Sequence, residues 1–228
     1  MTGATGPILA IDTATTTAWV VLAGADGTVR ASATWRAGHR HGEELLARID
    51  ALLAGAGISP RALGGIAVGL GPGAFTGLRV GIATAKGLAA GLGVPLAGIG
   101  SAAAIAAAAV AVGAAPAGGR VAVLLPAGPS ERTLEVDGAA VRLGAGEEPD
   151  LGEDTTIVAV DLDGRAPADA LARGEAARAG FAEALARAGA ARLRTGGDDL
   201  ARLVPEYVTP PRGVAAPSGE VAWSRTPG

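Results

Sequence analysis

The stretch Gly69-Leu70-Gly71-Pro72-Gly73-Ala74-Phe75-Thr76-Gly77-Leu78-Arg79-Val80-Gly81 constrains the fold of this chain more than any other. The apolar run Ile66–Leu70 predicts a buried strand, Gly71–Gly77 a glycine loop, and Leu78–Leu92 a helix. Val94–Ile99 then supplies another short strand, so the region reads as strand, helix, strand. Helix N-termini behind glycine loops are ready anion sites, and Thr76 stands where it could cap the helix. This is not a Walker phosphate loop, because no Gly-Lys-Ser/Thr follows and Lys86 lies over two turns into the helix. Gly77 and Gly81 are four residues apart and share a face. Glycine inside a helix costs about 1 kcal/mol relative to Ala. The face therefore reads as one that another backbone approaches closely, either the chain's own sheet or a partner.

Upstream, Ile8–Asp12 and Ala18–Leu22 read as strands around the turn Thr13–Thr17, and Asp26-Gly27 is a hairpin turn into Val29–Trp35. His41–Leu53 carries Leu45, Leu46, Ile49, Leu52 and Leu53 at helical spacing, stopped by Gly55 and Gly57. Ser101–Val112 predicts another helix with Ser101 as N-cap. An antiparallel meander, helix, strand, helix, strand, helix is the order of the ribonuclease-H-like lobe of the actin-like ATPase superfold. Downstream, Arg120–Pro126, Thr133–Val136, Ala140–Leu143 and Thr156–Val160 read as strands, Ala168–Ala188 as a long helix with Gly174 and Gly180 inside it, and Asp198–Leu203 as a short one. The expected division is an N-terminal lobe over 1–113, a smaller C-terminal lobe over 120–204 that is a reduced copy of the first, and an extended, proline-bearing tail over 205–228.

Composition narrows the functional classes. Charged residues are 18% of 228 and the net charge is −3, which argues against a disordered charged tail and against free-standing nucleic-acid binding. The absence of Cys removes thiol catalysis and Cys-based metal sites. Alanine makes up about a quarter of the chain and Lys86 is the lone lysine among 19 basic residues, a bias that reads as coding preference. The uncharged run between Lys86 and Arg120 is broken by Pro95 and Pro116 and is mostly Ala and Gly, so a soluble, cytoplasmic chain is expected. Asp12, at a strand end before a threonine-rich turn, could organise a cation at nucleotide phosphates or could simply cap the turn. Its neighbour in position 14 is Ala, not a glycine that would let phosphate reach the backbone. His39 and His41 lack the further ligands a metal centre needs.

These strings together resemble the TsaB (YeaZ) family of tRNA threonylcarbamoyladenosine biosynthesis proteins. The residues that carry the resemblance are Ile8–Ile11 with Asp12-Thr13, the string Gly71–Gly81, Ala85-Lys86-Gly87-Leu88-Ala89, Val94-Pro95, the His41 helix, and Leu203-Val204-Pro205-Glu206-Tyr207-Val208. The likeness is strong over 8–112 and 203–212 and thin between 120 and 200. Leu125–Arg132 departs from the family's Asp-Ala-Arg pattern, and Ala74 replaces its more frequent Ser.

The resemblance implies an actin-like two-lobe fold without robust ATPase activity and a non-catalytic scaffold or activator role. The implied partner is a TsaD-like catalytic subunit that moves a threonylcarbamoyl group onto N6 of adenosine 37 of tRNA. A TsaE-like ATPase would join, the chain alone would form a homodimer, and tRNA would be reached through the complex. Asp12 and Thr13 would be a vestigial nucleotide site, with ATP, ADP and metal only in the partner subunits. The partner interface would include Leu45, Ile49, Gly77, Arg79, Gly81 and Ala85. The competing expectation is an active actin-fold enzyme, an ATP-dependent phosphotransferase or a glycoprotease-type metallopeptidase, with Asp12 holding a metal–nucleotide complex.

Overall fold

The structure is a computed structural model that describes residues 6–37, 41–152 and 154–206. The expectations for His39, the side chain of His41 and the segment from Tyr207 onward lie outside the described residues.

The run Ile8-Leu9-Ala10-Ile11 is apolar at every position because the strand it forms is covered on both faces. This strand, β1 (Ile8–Asp12), pairs antiparallel with β2 (Thr17–Ala23) and parallel with β4 (Gly65–Gly71). The edge strand β3 (Val29–Arg36) alternates half-buried and exposed residues, as an antiparallel edge with one wet face should. With β5 (Leu96–Gly100) the first sheet has the order β3-β2-β1-β4-β5. The second sheet, of β6 (Arg120–Pro126), β7 (Arg132–Val136), β8 (Ala139–Leu143) and β9 (Thr155–Ala159), has the order β8-β7-β6-β9. It repeats the first four strands of the first sheet, with the same antiparallel and parallel pairings, and has no fifth among the described residues.

The period-2 alternation of β1 sorts the core into two layers. Leu9 and Ile11 pack under α1 (His41–Gly55) and α2 (Phe75–Leu92), with Leu45, Ile49, Ile82 and Ala85 from the helices. Ile8 and Ala10 face the other way, towards α3 (Ser101–Ala111) and α4 (Ala168–Arg194). α3 and α4 lie between the sheets, since the same apolar cluster takes in Val123, Leu125 and Val158 of the second sheet. By chain order α4 falls in the expected C-terminal lobe, yet its glycines seat it on both sheets. A Cβ on Gly189 would lie 2.6 Å from Ala67 Cβ of β4, and one on Gly174 1.9 Å from the Ala159 carbonyl oxygen of β9. The outer face of the second sheet has Leu124, Leu134 and Leu143, covered by Leu162 and the first turn of α4. Where α1 follows β3 in the first half, the chain after β8 runs through Gly144, Gly146, Pro149 and Gly152, residues that break helices.

Three local expectations change. α2 begins at Phe75 with Ala74 as N-cap, so Thr76 lies inside the helix and caps nothing. Ser101 is the first residue of α3 behind Gly100, not its N-cap. Asp198–Leu203 is a turn, with Asp198 bridged to Leu96 and its carboxylate accepting from the Gly98 N–H at 2.8 Å.

Candidate functional site

Asp12 is the last residue of β1, and the parallel pairing with β4 sets it beside Gly69. Its carboxylate is fully buried, and both oxygens are taken by the chain itself. The Ala14 N–H donates to Oδ1 at 2.9 Å, and the Ser101 hydroxyl donates to Oδ2 at 2.6 Å. The Ser101 oxygen in turn accepts from the Gly71 N–H at 3.1 Å. Burial pushes the Asp12 carboxyl above its usual value, against the opposing hydrogen bonds from Ser101 and Ala14. Gly69 is glycine because a Cβ there would lie 2.0 Å from Asp12 Oδ2.

The glycine loop lies directly on the threonine turn. The Ala74 N–H donates to the Ala14 carbonyl at 2.7 Å, and a Cβ on Gly73 would sit 2.2 Å from that same oxygen. Thr13 is buried, and its hydroxyl donates to the Gly77 carbonyl at 2.8 Å. A Cβ on Gly81 would come within 2.2 Å of Thr13 Oγ1. The small-residue face of α2 therefore packs on the chain's own β1–β2 turn. This corrects the expectation that Gly77 and Gly81 belong to a partner surface. Leu45, Ile49 and Ala85 are buried beneath the same helices and present no side chain outward. Of the six expected interface residues only Arg79 is exposed.

The carboxylate that would face a nucleotide's cation is thus engaged within the protein. The Asp12 carboxylate has no exposed oxygen, and the glycine loop covers the backbone of the turn. These residues do not fit a metal–nucleotide complex bound at Asp12.

The exposed positions of α1 and α2 carry a different set: Leu46 lies beside Leu88 and Leu92 near the end of α2, and Phe75 and Arg79 stand at its start. Leu46 on α1 is 57% exposed and Phe75, at the start of α2, is 40% exposed. The Arg79 guanidinium lies over the Phe75 ring at 3.8 Å from its centroid. Ala83 and Gly87 continue the same i, i+4 stripe, and a Cβ on Gly87 would meet nothing within 4 Å. Sequence reasoning missed Leu46 and Phe75 because apolar residues in amphipathic helices are assigned inward by default. It also missed Ser101 as a partner of Asp12, for which no local signal exists.

An open α/β sheet of this order, repeated in reduced form and joined through two central helices, defines a protein of the actin-like fold. The family model described as "TsaD: tRNA N6-adenosine threonylcarbamoyltransferase" matches residues 35–184. The tRNA threonylcarbamoyladenosine biosynthesis protein TsaB of Escherichia coli (strain K12) is 41% identical over 92 residues, which are 40% of this chain and 39% of that protein. A tRNA N6-adenosine threonylcarbamoyltransferase of Cereibacter sphaeroides is 46% identical over 63 residues, 28% of this chain and 17% of that one. YeaZ from Pseudomonas aeruginosa superposes with a TM-score of 0.67 at 25% identity, covering 89% of this chain and 99% of YeaZ. The chain belongs to this threonylcarbamoyltransferase-related family, in its TsaB/YeaZ branch. The aligned part spans about two fifths of the length of the E. coli relative.

Proposed function

We propose that this chain is a non-catalytic subunit of tRNA threonylcarbamoyladenosine biosynthesis that pairs with, and activates, a TsaD-like transferase. The observation that carries the reading is the closed Asp12 site. Both carboxylate oxygens are engaged inside the fold and the glycine loop sits on the turn, so the chain's own residues serve packing instead of transfer chemistry. The names of the relatives supply the pathway, and the exposed Leu46, Phe75 and Arg79 supply a surface for the partner. On this reading a TsaE-like ATPase joins the pair, the same surface closes a homodimer when the partner is absent, and tRNA is met through the partner. The near-neutral charge fits that indirect role, since direct tRNA binding draws on a basic surplus. A phosphotransferase or metallopeptidase would need Asp12 open to a metal–nucleotide complex. No helix among the described residues is long and apolar enough to cross a membrane.

The test is co-elution of the purified chain with the TsaD-like subunit of its own cell, together with the level of the modified nucleoside after deletion of the chain. A stable complex and a lost modification are expected. Separate elution with normal nucleoside levels overturns the proposal.

A further inference from the structure

The β1–β2 turn meets the second half of the chain at Asp161 and Arg178. After β9 the chain passes through Asp161, whose φ of +58° lies in the left-handed region that few residues besides Gly, Asn and Asp enter. Non-glycine residues held there cluster at clamps and switches. The Asp161 side chain is 7% exposed and points across to the first sheet. Its Oδ2 accepts from the Thr16 N–H at 2.6 Å, and its Oδ1 accepts from Arg178 Nη2 at 3.3 Å. Arg178, on α4, also donates through Nη1 to Thr17 Oγ1 at 2.5 Å, with its Nε 2.7 Å from Glu175 Oε2. Arg165 secures the Asp161 segment from behind. Its Nη2 donates to the Asp161 carbonyl at 3.3 Å and its Nη1 to the Gly128 carbonyl at 2.9 Å, in the β6–β7 connection.

A turn N–H and a guanidinium converging on one spot are donors that hold an anion. Here the spot holds the chain's own carboxylate. The cleft beside it, lined by Thr15, Trp19, Arg178 and Phe181, holds about 20 Å³, room for a single water. We propose that Asp161 is a built-in anion: it takes up the Thr16 N–H and the Arg178 guanidinium in place of an external phosphate-class ligand, and so latches the two sheets together. This goes beyond the scaffold reading and does not depend on it. A latch of this kind keeps the fold closed without nucleotide, whichever partner it meets.

The experiment compares the full chain with its Asp161→Ala variant by residue-resolved amide hydrogen exchange and by calorimetric titration with inorganic pyrophosphate. In Asp161→Ala the Thr16 amide exchanges at least tenfold faster while the β1 amides keep their protection. Pyrophosphate binds this variant in the millimolar range and does not bind the native chain. Adding Arg178→Gln to Asp161→Ala abolishes that binding. If Asp161→Ala does not fold, Asp161→Gly, which suits the same left-handed backbone and leaves no side-chain acceptor, takes its place in both measurements with the same expectations. An unchanged Thr16 exchange rate overturns the latch. Pyrophosphate binding that is equal in native and variant chains, or absent from the variant, overturns the built-in anion.

Discussion

Replacing Gly81 by Ala tests directly which way the small-residue face of α2 points. Taken as a helix position alone, the change should stabilise by about 1 kcal/mol. The new methyl, however, would lie 2.2 Å from Thr13 Oγ1, itself fully buried and hydrogen-bonded to the Gly77 carbonyl. Overfilling a packed site costs about 1–3 kcal/mol, and displacing the Thr13 hydroxyl from its acceptor costs about 1–3 kcal/mol more. The net effect is a loss of about 3 kcal/mol, which for a chain of this size lowers the melting temperature by about 6–12 °C. Gly87, on the outward face of the same helix with open space around it, provides the control. Gly87→Ala should gain about 0.5–1 kcal/mol and raise the melting temperature by about 1–4 °C. Thermal unfolding followed by circular dichroism reads both. In a Thr13→Ala background the penalty of Gly81→Ala should largely vanish, a coupling of about 1–3 kcal/mol between contacting residues. If Gly81→Ala stabilises as Gly87→Ala does, or its cost is the same without the Thr13 hydroxyl, the packing assigned to this face is wrong.

Further outcomes follow from the same geometry. The raised carboxyl of Asp12 makes the unfolded chain release its proton first, so this group's contribution to stability declines as pH rises from about 4 towards the folded-state value. Asp12→Asn should accordingly show a smaller fall in melting temperature between acidic and neutral pH than the native chain, and an equal fall would refute this. Gly174→Ala would drive a methyl to 1.9 Å from the Ala159 carbonyl and should destabilise by about 2 kcal/mol or more, visible as a lower urea midpoint. Ser101→Ala removes the hydroxyl shared by Asp12 and Gly71 and should cost about 1–3 kcal/mol by the same measurement.

The sequence carried the elements well where periodicity is strong. The uninterrupted apolar run Ile8–Ile11 and the Leu45/Ile49/Leu53 spacing lead straight to β1 and α1. The glycine stripe was legible as a close approach but not in its direction. On α2 the inward set Gly77, Gly81, Ala85 and the outward set Phe75, Arg79, Ala83, Gly87 have the same i, i+4 spacing. Only the placement of Thr13 decides between them. Ser101 looked like a helix cap because a serine before an apolar run has that local signature. Its bond to Asp12 spans 89 residues and leaves no local trace. Asp161 and Arg178 are hidden for the same reason, meeting the β1–β2 turn from more than a hundred residues away.

The most direct test of the subunit reading is the affinity of this chain for its TsaD-like partner, measured by calorimetry with the native chain and with Leu46→Asp. Leu46 is exposed, so the substitution should leave the melting temperature within about 2 °C, in line with surface changes of about 0.5 kcal/mol. A charge placed in an apolar contact should weaken association at least tenfold, about 1.4 kcal/mol. The account predicts a tight native complex that Leu46→Asp disrupts while Asp12→Asn leaves it intact. A native chain that does not bind the partner, or a complex indifferent to Leu46→Asp but broken by Asp12→Asn, contradicts it.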